Sequence, residues 1–176
     1  GFFTADPYRS SDHDPVLVGL DLDPATPDRC YTDGSQTVDS YTLGVRADGS
    51  AVPPPFAQPA RALGTADGRA LTLGLGGEIV FAFDRPVQNT NGTAADLRVV
   101  DDSDGAKGRH DAAQISASWD GEVWVELGRV QGTGTVDLGA LPAIRYLRVV
   151  DDTPQRVPGA TDGYDLDAVK VLTGCV

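Results

Sequence analysis

The residues best suited to chemistry stand near the start of the chain, in the run Ser11-Asp12-His13-Asp14-Pro15. Histidine exchanges protons near neutral pH, and a neighbouring carboxylate can hold a divalent metal or bias the charge of the histidine. His13 and Asp12 could therefore serve the hydrolysis of a phosphoester with Mg²⁺. The alternative is a polar turn that enters the following strand at Pro15, because proline is tolerated at the first residue of a strand.

A second group of candidates is acidic. Asp67 stands next to Gly68 in a predicted loop, and Asp165 and Asp167 alternate along a predicted strand, so that both side chains point to one face. If that face is buried, the carboxylates need partners, because an unpaired buried charge is costly. Three arrangements would meet this need. They are a Ca²⁺ ion bound by Asp67, Asp165 and Asp167, a network with an arginine such as Arg148 or with the backbone, or exposure to solvent.

Two cysteines, Cys30 and Cys175, lie near opposite ends of the sequence without the spacing of a metal site. We predict that they form a disulfide between the first and last strands of a domain. Closing a loop of roughly 145 residues removes on the order of 5 kcal/mol of unfolded-chain entropy. Such a bond indicates an oxidising compartment, and hence a secreted, extracellular protein. The alternative is two separate structural thiols.

The composition restricts the partners. The chain of 176 residues has 14 Lys+Arg against 26 Asp+Glu, a formal net charge of −12. Such a surface repels polyphosphates, so we expect no direct binding of nucleic acid by the main domain. Apolar runs are only a few residues long, which predicts no membrane-spanning helix. The sequence contains no Met, and we therefore expect it to be part of a longer chain.

Apolar residues alternate with period two in almost every periodic stretch, which predicts strands and an all-β sandwich or barrel. Residues 23–29 contain two prolines and no apolar periodicity, so they are predicted to link a segment at 1–22 to a domain at 30–176. The predicted strands are 16–22, 37–45, 70–75, 78–84, 96–101, 113–119, 122–127, 135–138, 145–151 and 165–172.

One hairpin is clear from the sequence. Asp120-Gly121 stands between two alternating strands, and this pair favours a tight two-residue turn. We expect the flanking Trp119 and Trp124 to pack in the core or across strands. The alternative is a platform on which a sugar ring stacks.

The hexapeptide Leu-Arg-Val-Val-Asp-Asp occurs twice, at 97–102 and at 147–152. It predicts two similar strands, each with Leu and Val on one face and each ending in an acidic loop. The Asp pairs are expected to be solvated strand ends, with calcium ligation as the alternative.

The stretch at 2–20 (FFTADPYRSSDHDPVLVGL) resembles the carboxyl end of the endonuclease/exonuclease/phosphatase superfamily, especially its secreted bacterial nucleases. That family ends in a Ser-Asp-His-x-Pro motif that enters the last strand of a metal-dependent α/β sandwich. The resemblance implies that His13 acts at the scissile phosphate and that Asp12 assists the metal site. It also implies a parent catalytic domain upstream, with Mg²⁺ or Mn²⁺, so that this fragment alone is inactive.

From about residue 36 onward the sequence is similar to galactose-binding-like, discoidin-like jelly-roll domains of secreted bacterial proteins. Tyr164 stands where that family commonly has Phe. The resemblance implies a β-sandwich that holds structural Ca²⁺ and binds a glycan or a cell surface. It is carried by 61–64 (RALG), 67–68 (DG), 73–79 (LGLGGEI), 115–121 (ISASWDG), 145–151 (RYLRVVD) and 163–169 (GYDLDAV).

These observations predict a non-catalytic accessory domain, for attachment or stabilisation, of a secreted metal-dependent nuclease. One alternative is a calcium-dependent carbohydrate- or surface-binding module. Another is a metal-dependent phosphoesterase that uses His13 and Asp12. The phosphoesterase is disfavoured, because one histidine and a detached motif do not assemble a two-sided site.

Overall fold

The computed structural model describes residues 36–90, 94–102, 111–154 and 162–172. Several sequence predictions lie outside these residues. They concern the segment 1–22 with its strand at 16–22, the linker at 23–29, and the residues Asp12, His13, Cys30 and Cys175.

Nine strands build the described part of the chain, which contains one short 3-10 turn, Pro59–Ala62, and no α-helix. This confirms the predicted all-β class. The strands are β1 (Gln36–Thr42), β2 (Leu71–Thr72), β3 (Glu78–Gln88), β4 (Leu97–Asp101), β5 (Ala112–Ser118), β6 (Val125–Gln131), β7 (Gly134–Val136), β8 (Ala143–Asp151) and β9 (Asp165–Val171).

The strands form two antiparallel sheets, one of five strands in the order β1-β3-β8-β5-β6 and one of four in the order β2-β9-β4-β7. Alternate side chains of both sheets meet in one apolar core. In the five-stranded sheet, Leu147 lies between Phe81 and Ala117, and all three are fully buried. The predicted sandwich is thus built by period-two alternation, with one face of each sheet turned inward.

The duplicated hexapeptide forms the two strands that it predicts, one in each sheet. Leu97 and Val99 of β4, like the corresponding residues of β8, are fully buried in the shared core. The acidic ends agree with the prediction only in part, because Asp101 and Asp151 are buried whereas Asp102 and Asp152 are exposed.

Most predicted strands differ from the observed ones by a few residues at their ends, and two of these differences have a local structural cause. The stretch at 70–75 is strand only at Leu71–Thr72, because the chain leaves the sheet where Gly74 adopts φ +75 against Gly44. A Cβ atom on Gly74 would lie 2.6 Å from the carbonyl carbon of Gly44, so only glycine fits there. The strand predicted at 122–127 begins at Val125, because the preceding residues form a loop.

No helix in the described ranges is long and apolar enough to cross a membrane.

Candidate functional site

Strand register places the candidate residues at opposite ends of the sandwich. β5 starts beside the end of β8, where Ala113 pairs with Asp151, and ends beside its start, where Ser118 pairs with Tyr146. We call the first the acidic end, formed by Asp101, Asp111, Asp151, Asp162 and Asp165. We call the second the aromatic end, formed by the loop 119–124 with Arg145 and Tyr146.

The loop of the aromatic end is held by the carboxylate of Asp120. Its Oδ1 accepts hydrogen bonds from the backbone N–H of Val123 at 2.9 Å and of Glu122 at 2.8 Å. These bonds, the one from Val123 first, lower the pKa of Asp120 below its ordinary value. The predicted two-residue turn is therefore wrong, because Asp120 closes a six-residue loop between β5 and β6.

A second set of bonds fixes the same loop to the sheet. The Ser118 hydroxyl oxygen accepts from the N–H of Gly121 at 2.9 Å. Gly121 has φ +82 and lies against the ring of Tyr146, which favours glycine at this position. The loop is thus anchored at its start and at its middle, which leaves the side chain between these points in a defined position.

That side chain is Trp119, and 55% of its surface is exposed. The guanidinium carbon of Arg145 lies 5.3 Å from the centre of its ring, in the geometry of a cation–π contact. The expectation that Trp119 packs in the core is wrong, since this residue follows the last β5 pair, Ser118 with Tyr146. The indole is exposed, and the alternative, a platform on which a sugar ring stacks, stays a prediction.

Trp124 differs from Trp119 because it is partly buried on the sheet. Its indole N–H donates to the carbonyl oxygen of Gly121 at 3.1 Å, and the guanidinium carbon of Arg148 lies 4.7 Å from its ring centre. Arg148 belongs to β8, two strands away from β6, so this contact is the predicted cross-strand packing.

The two arginines that lie over tryptophan rings have no ionic partner among the described residues. Neither Arg145 nor Arg148 pairs with a carboxylate of the described residues, whereas Arg69 and Arg129 contact Asp67 and Asp152. The loop 119–124 contributes the carboxylates of Asp120 and Glu122 to the aromatic end, and neither forms an ion pair with Arg145.

At the acidic end the central group is Asp165. The hydroxyl of Thr72 donates to its Oδ1 at 2.5 Å. Burial raises the pKa of Asp165 to about 7, the carboxylates of Asp162, Asp101 and Asp111 also raise it, and the bond from Thr72 opposes the rise. Near neutral pH this carboxyl group therefore exists in both its protonated and its charged form.

The carboxylate of Asp167 is also buried, but it is bound by backbone N–H groups. It is 3% exposed, and its Oδ1 and Oδ2 accept from the backbone N–H groups of Asp67 at 3.3 Å and Gly68 at 3.2 Å. Asp67 is joined to Asp167 through its backbone, while its own carboxylate accepts from the N–H of Arg69. The backbone network is thus the arrangement found for Asp167. Arg148, the other proposed partner, lies on Trp124 in the other sheet.

Within the described ranges, no group of three or more His, Cys, Asp or Glu residues is placed to hold a metal ion. The structure brings Asp67 and Asp167 together, but both carboxylate oxygens of Asp167 already accept backbone N–H groups. Calcium at Asp67, Asp165 and Asp167 stays a prediction.

Sequence reasoning missed Arg145 and Asp120 as parts of a site. Arg145 lies 26 positions from Trp119, so its stacking depends on the pairing of β5 with β8. A local signal existed for Asp120, because an Asp that precedes Gly often accepts from backbone N–H groups two or three residues ahead.

No protein-family model and no curated protein matches the sequence. Solved structures do match. CBM32-1 from a family 31 glycoside hydrolase of Clostridium perfringens has a TM-score of 0.55 and 10% identity, over 83% of this chain and 100% of that chain. A putative chitobiase fragment from Bacteroides thetaiotaomicron has a TM-score of 0.53 and 16% identity, over 79% and 89%. These likenesses confirm the predicted β-sandwich fold.

Proposed function

We propose that this domain is a carbohydrate-binding accessory module of a secreted enzyme and that the aromatic end is its sugar-binding surface. The observation that carries the proposal is Trp119, a half-exposed indole on an anchored loop. A large exposed aromatic ring that is held in place costs solvation energy, which a ligand stacked on it would recover.

The neighbouring groups supply what a sugar needs besides an apolar face. Binding sites for small polar ligands combine an apolar surface with a few well-placed donors and acceptors. The guanidinium of Arg145 has five N–H donors, and Glu122 in the same loop offers exposed carboxylate oxygens. Because Asp120 and Ser118 already order the loop, little conformational entropy remains to be lost on binding.

The solved structures support the same proposal. One matching chain is named as part of a glycoside hydrolase and another as a fragment of a putative chitobiase. Both names refer to enzymes that act on carbohydrates, and the two matches cover 83% and 79% of this chain. An accessory module with a glycan ligand is therefore better supported than the stabilising domain of a nuclease.

The interpretation of the parent enzyme as a nuclease rests on the Ser11–Pro15 run, which lies outside the described residues. It stays a prediction about the catalytic domain, as does the phosphoesterase that would use His13 and Asp12. A glycan-binding module can serve either parent, because attachment to a surface does not depend on the chemistry of the attached enzyme.

The test is electrophoresis of the full chain through gels that contain polysaccharides, both neutral and charged. We expect retardation in at least one gel and a loss of affinity of about ten-fold or more in Trp119→Ala. Phe56→Ala is the matched control, because Phe56 is 49% exposed and also carries a stacked arginine, Arg61 at 5.6 Å. Migration unchanged in every gel, or equal losses in both variants, would overturn the proposal.

A further inference from the structure

Resting on this proposed function, we propose that the ligand is an acidic glycan whose carboxylate or sulfate group binds Arg145. The exposed guanidinium of Arg145 lies over the ring of Trp119 and has no carboxylate partner among the described residues. A sugar ring on the indole would therefore place its substituents beside a cation without a counterion.

The composition makes an unpaired arginine informative. With 26 Asp+Glu against 14 Lys+Arg, carboxylates are available in excess, and Arg69 and Arg129 contact one each. Arg145 contacts an indole instead. A cation–π contact uses the charge of the guanidinium and not its hydrogen bonds, so the N–H donors of Arg145 can still bind two oxygens of a planar or tetrahedral anion.

The loop beside Arg145 contains two carboxylates, and they are not equivalent. Asp120 is engaged, because its Oδ1 accepts two backbone N–H groups. Glu122 is exposed, and its negative charge opposes an anionic ligand. Removing that charge should strengthen the binding of an acidic glycan without touching the apolar platform.

The net charge of −12 does not oppose this inference at the aromatic end. Arg145 and Asp151 occupy opposite ends of β8, six residues apart, which corresponds to about 20 Å at about 3.3 Å per residue. The screening length at physiological ionic strength is about 8 Å. The carboxylates of the acidic end are thus screened from a ligand at Arg145, and the repulsion that remains comes from the carboxylates of the adjacent loop.

The experiment uses the full chain and two pairs of polymers that differ only in charge. One pair is polygalacturonate and its fully methyl-esterified form, and the other is dextran sulfate and dextran. We expect at least ten-fold tighter binding of the acidic member in one pair, and the pair that responds distinguishes a carboxylate from a sulfate. The preference should weaken as the salt concentration is raised from about 0.05 M to about 0.5 M, because the electrostatic screening length decreases over this range.

Variants locate the preference. Arg145→Ala should abolish it, while Arg145→Lys should keep part of it, because lysine retains the charge without the fork of donors. Arg61→Ala, which removes the arginine stacked on Phe56, is the matched control and should bind like the wild type. Glu122→Gln removes the negative charge beside Arg145 and should bind the acidic polymer several-fold more tightly than the wild type does.

The outcomes separate the two proposals. Equal binding of both members of each pair, with loss in Trp119→Ala, overturns the acidic ligand and leaves the sugar-binding function. Failure to bind either acidic polymer overturns the acidic ligand, whereas the sugar-binding function is overturned only if the chain also migrates unchanged in every gel with other polysaccharides. Equal losses of binding in Arg61→Ala and Arg145→Ala would show non-specific electrostatic attraction and overturn the assignment of the anion to Arg145. Tighter binding of oligo(dT) than of any polysaccharide, lost in Arg145→Ala, would replace the glycan by a nucleic acid.

Discussion

The two ends of the sandwich use charged side chains in opposite ways. At the acidic end, Asp151 is buried and accepts from the backbone N–H groups of Gly76 and Tyr164, each at 2.8 Å. At the aromatic end, Arg145 is exposed and its guanidinium lies over the ring of Trp119. The acidic residues therefore connect parts of the fold to each other, whereas the arginine retains donors for a ligand.

This contrast changes the meaning of the acidic composition. The net charge of −12 suggests a surface that repels anions, yet Asp101, Asp151 and Asp167 are buried. The carboxylate oxygens of Asp151 and Asp167 accept hydrogen bonds from backbone N–H groups of neighbouring loops. Part of the charge thus stabilises the sandwich, and the composition alone does not describe the surface that a ligand meets.

The largest expected effect concerns Asp165→Asn. In the folded chain the pKa of Asp165 is raised from 3.8 to about 7. Because the folded state holds the proton more tightly, the stabilisation is complete below about pH 4 and is lost as the pH rises to about 7. Asparagine has no charge to bury and can still accept from Thr72 through its Oδ1. The variant should exceed the wild type in unfolding free energy by up to about 4 kcal/mol at pH 8, measured by urea unfolding.

The same variant tests calcium. Near pH 4 the advantage of Asp165→Asn should vanish, and an advantage that is equal at both pH values would contradict the raised pKa. If Ca²⁺ binds at Asp165, added calcium should raise the melting temperature of the wild type at pH 8 and leave the variant unchanged. A wild-type melting temperature that responds neither to calcium nor to EDTA would contradict the calcium prediction.

Asp167→Asn should have the opposite sign. Each oxygen of Asp167 accepts a backbone N–H, and the amide group of asparagine would place a donor against one of them. Bonds from backbone N–H to a buried carboxylate are strong, so we expect a loss of about 3 kcal/mol at pH 8. Urea unfolding of Asp167→Asn, Asp165→Asn and the wild type under the same conditions measures this loss. A gain in stability would show that the two buried carboxylates are alike, which removes the distinction drawn between them.

The sequence predicts the strands well, because period-two alternation is a local property. The strand predicted at 145–151 is observed as Ala143–Asp151, and the two-sheet sandwich follows from many such strands. The same alternation misplaces Trp119, since Ala113, Ile115 and Ala117 all face the core and Trp119 continues their period. Alternation gives the face of a residue, and it does not say where pairing ends.

The candidate site was hidden for a related reason. Trp119 with Arg145 and Trp124 with Arg148 are pairs of residues that are distant in the sequence. They meet only because β5 lies between β8 and β6 in the sheet. The order of strands is not encoded in any one stretch, so the arginines could not be assigned to the tryptophans from local patterns.

Tyr164→Phe should give a smaller change than the two aspartate variants. Tyr164 is fully buried and its hydroxyl donates to the carbonyl oxygen of Gly132 at 2.8 Å. Phenylalanine fills nearly the same volume but leaves that acceptor without this donor, at a cost of about 1 kcal/mol in unfolding free energy. Urea unfolding measures this cost, and the slope of the unfolding free energy against urea concentration should equal that of the wild type. A variant as stable as the wild type would show that the hydroxyl contributes nothing to the core.

The smallest expected effect on stability is that of Trp119→Ala, which makes it the sharpest probe of the aromatic end. Tyr164 is fully buried, whereas Trp119 is 55% exposed and is held by backbone bonds of its neighbours Ser118 and Asp120. Removing the indole should therefore change the unfolding free energy by no more than about 0.5 kcal/mol. Thermal unfolding of Trp119→Ala and Phe56→Ala measures this change, and we expect both variants to lose equally little stability. A loss of several kcal/mol would show that Trp119 supports the fold, which would remove the reason to regard it as a ligand platform.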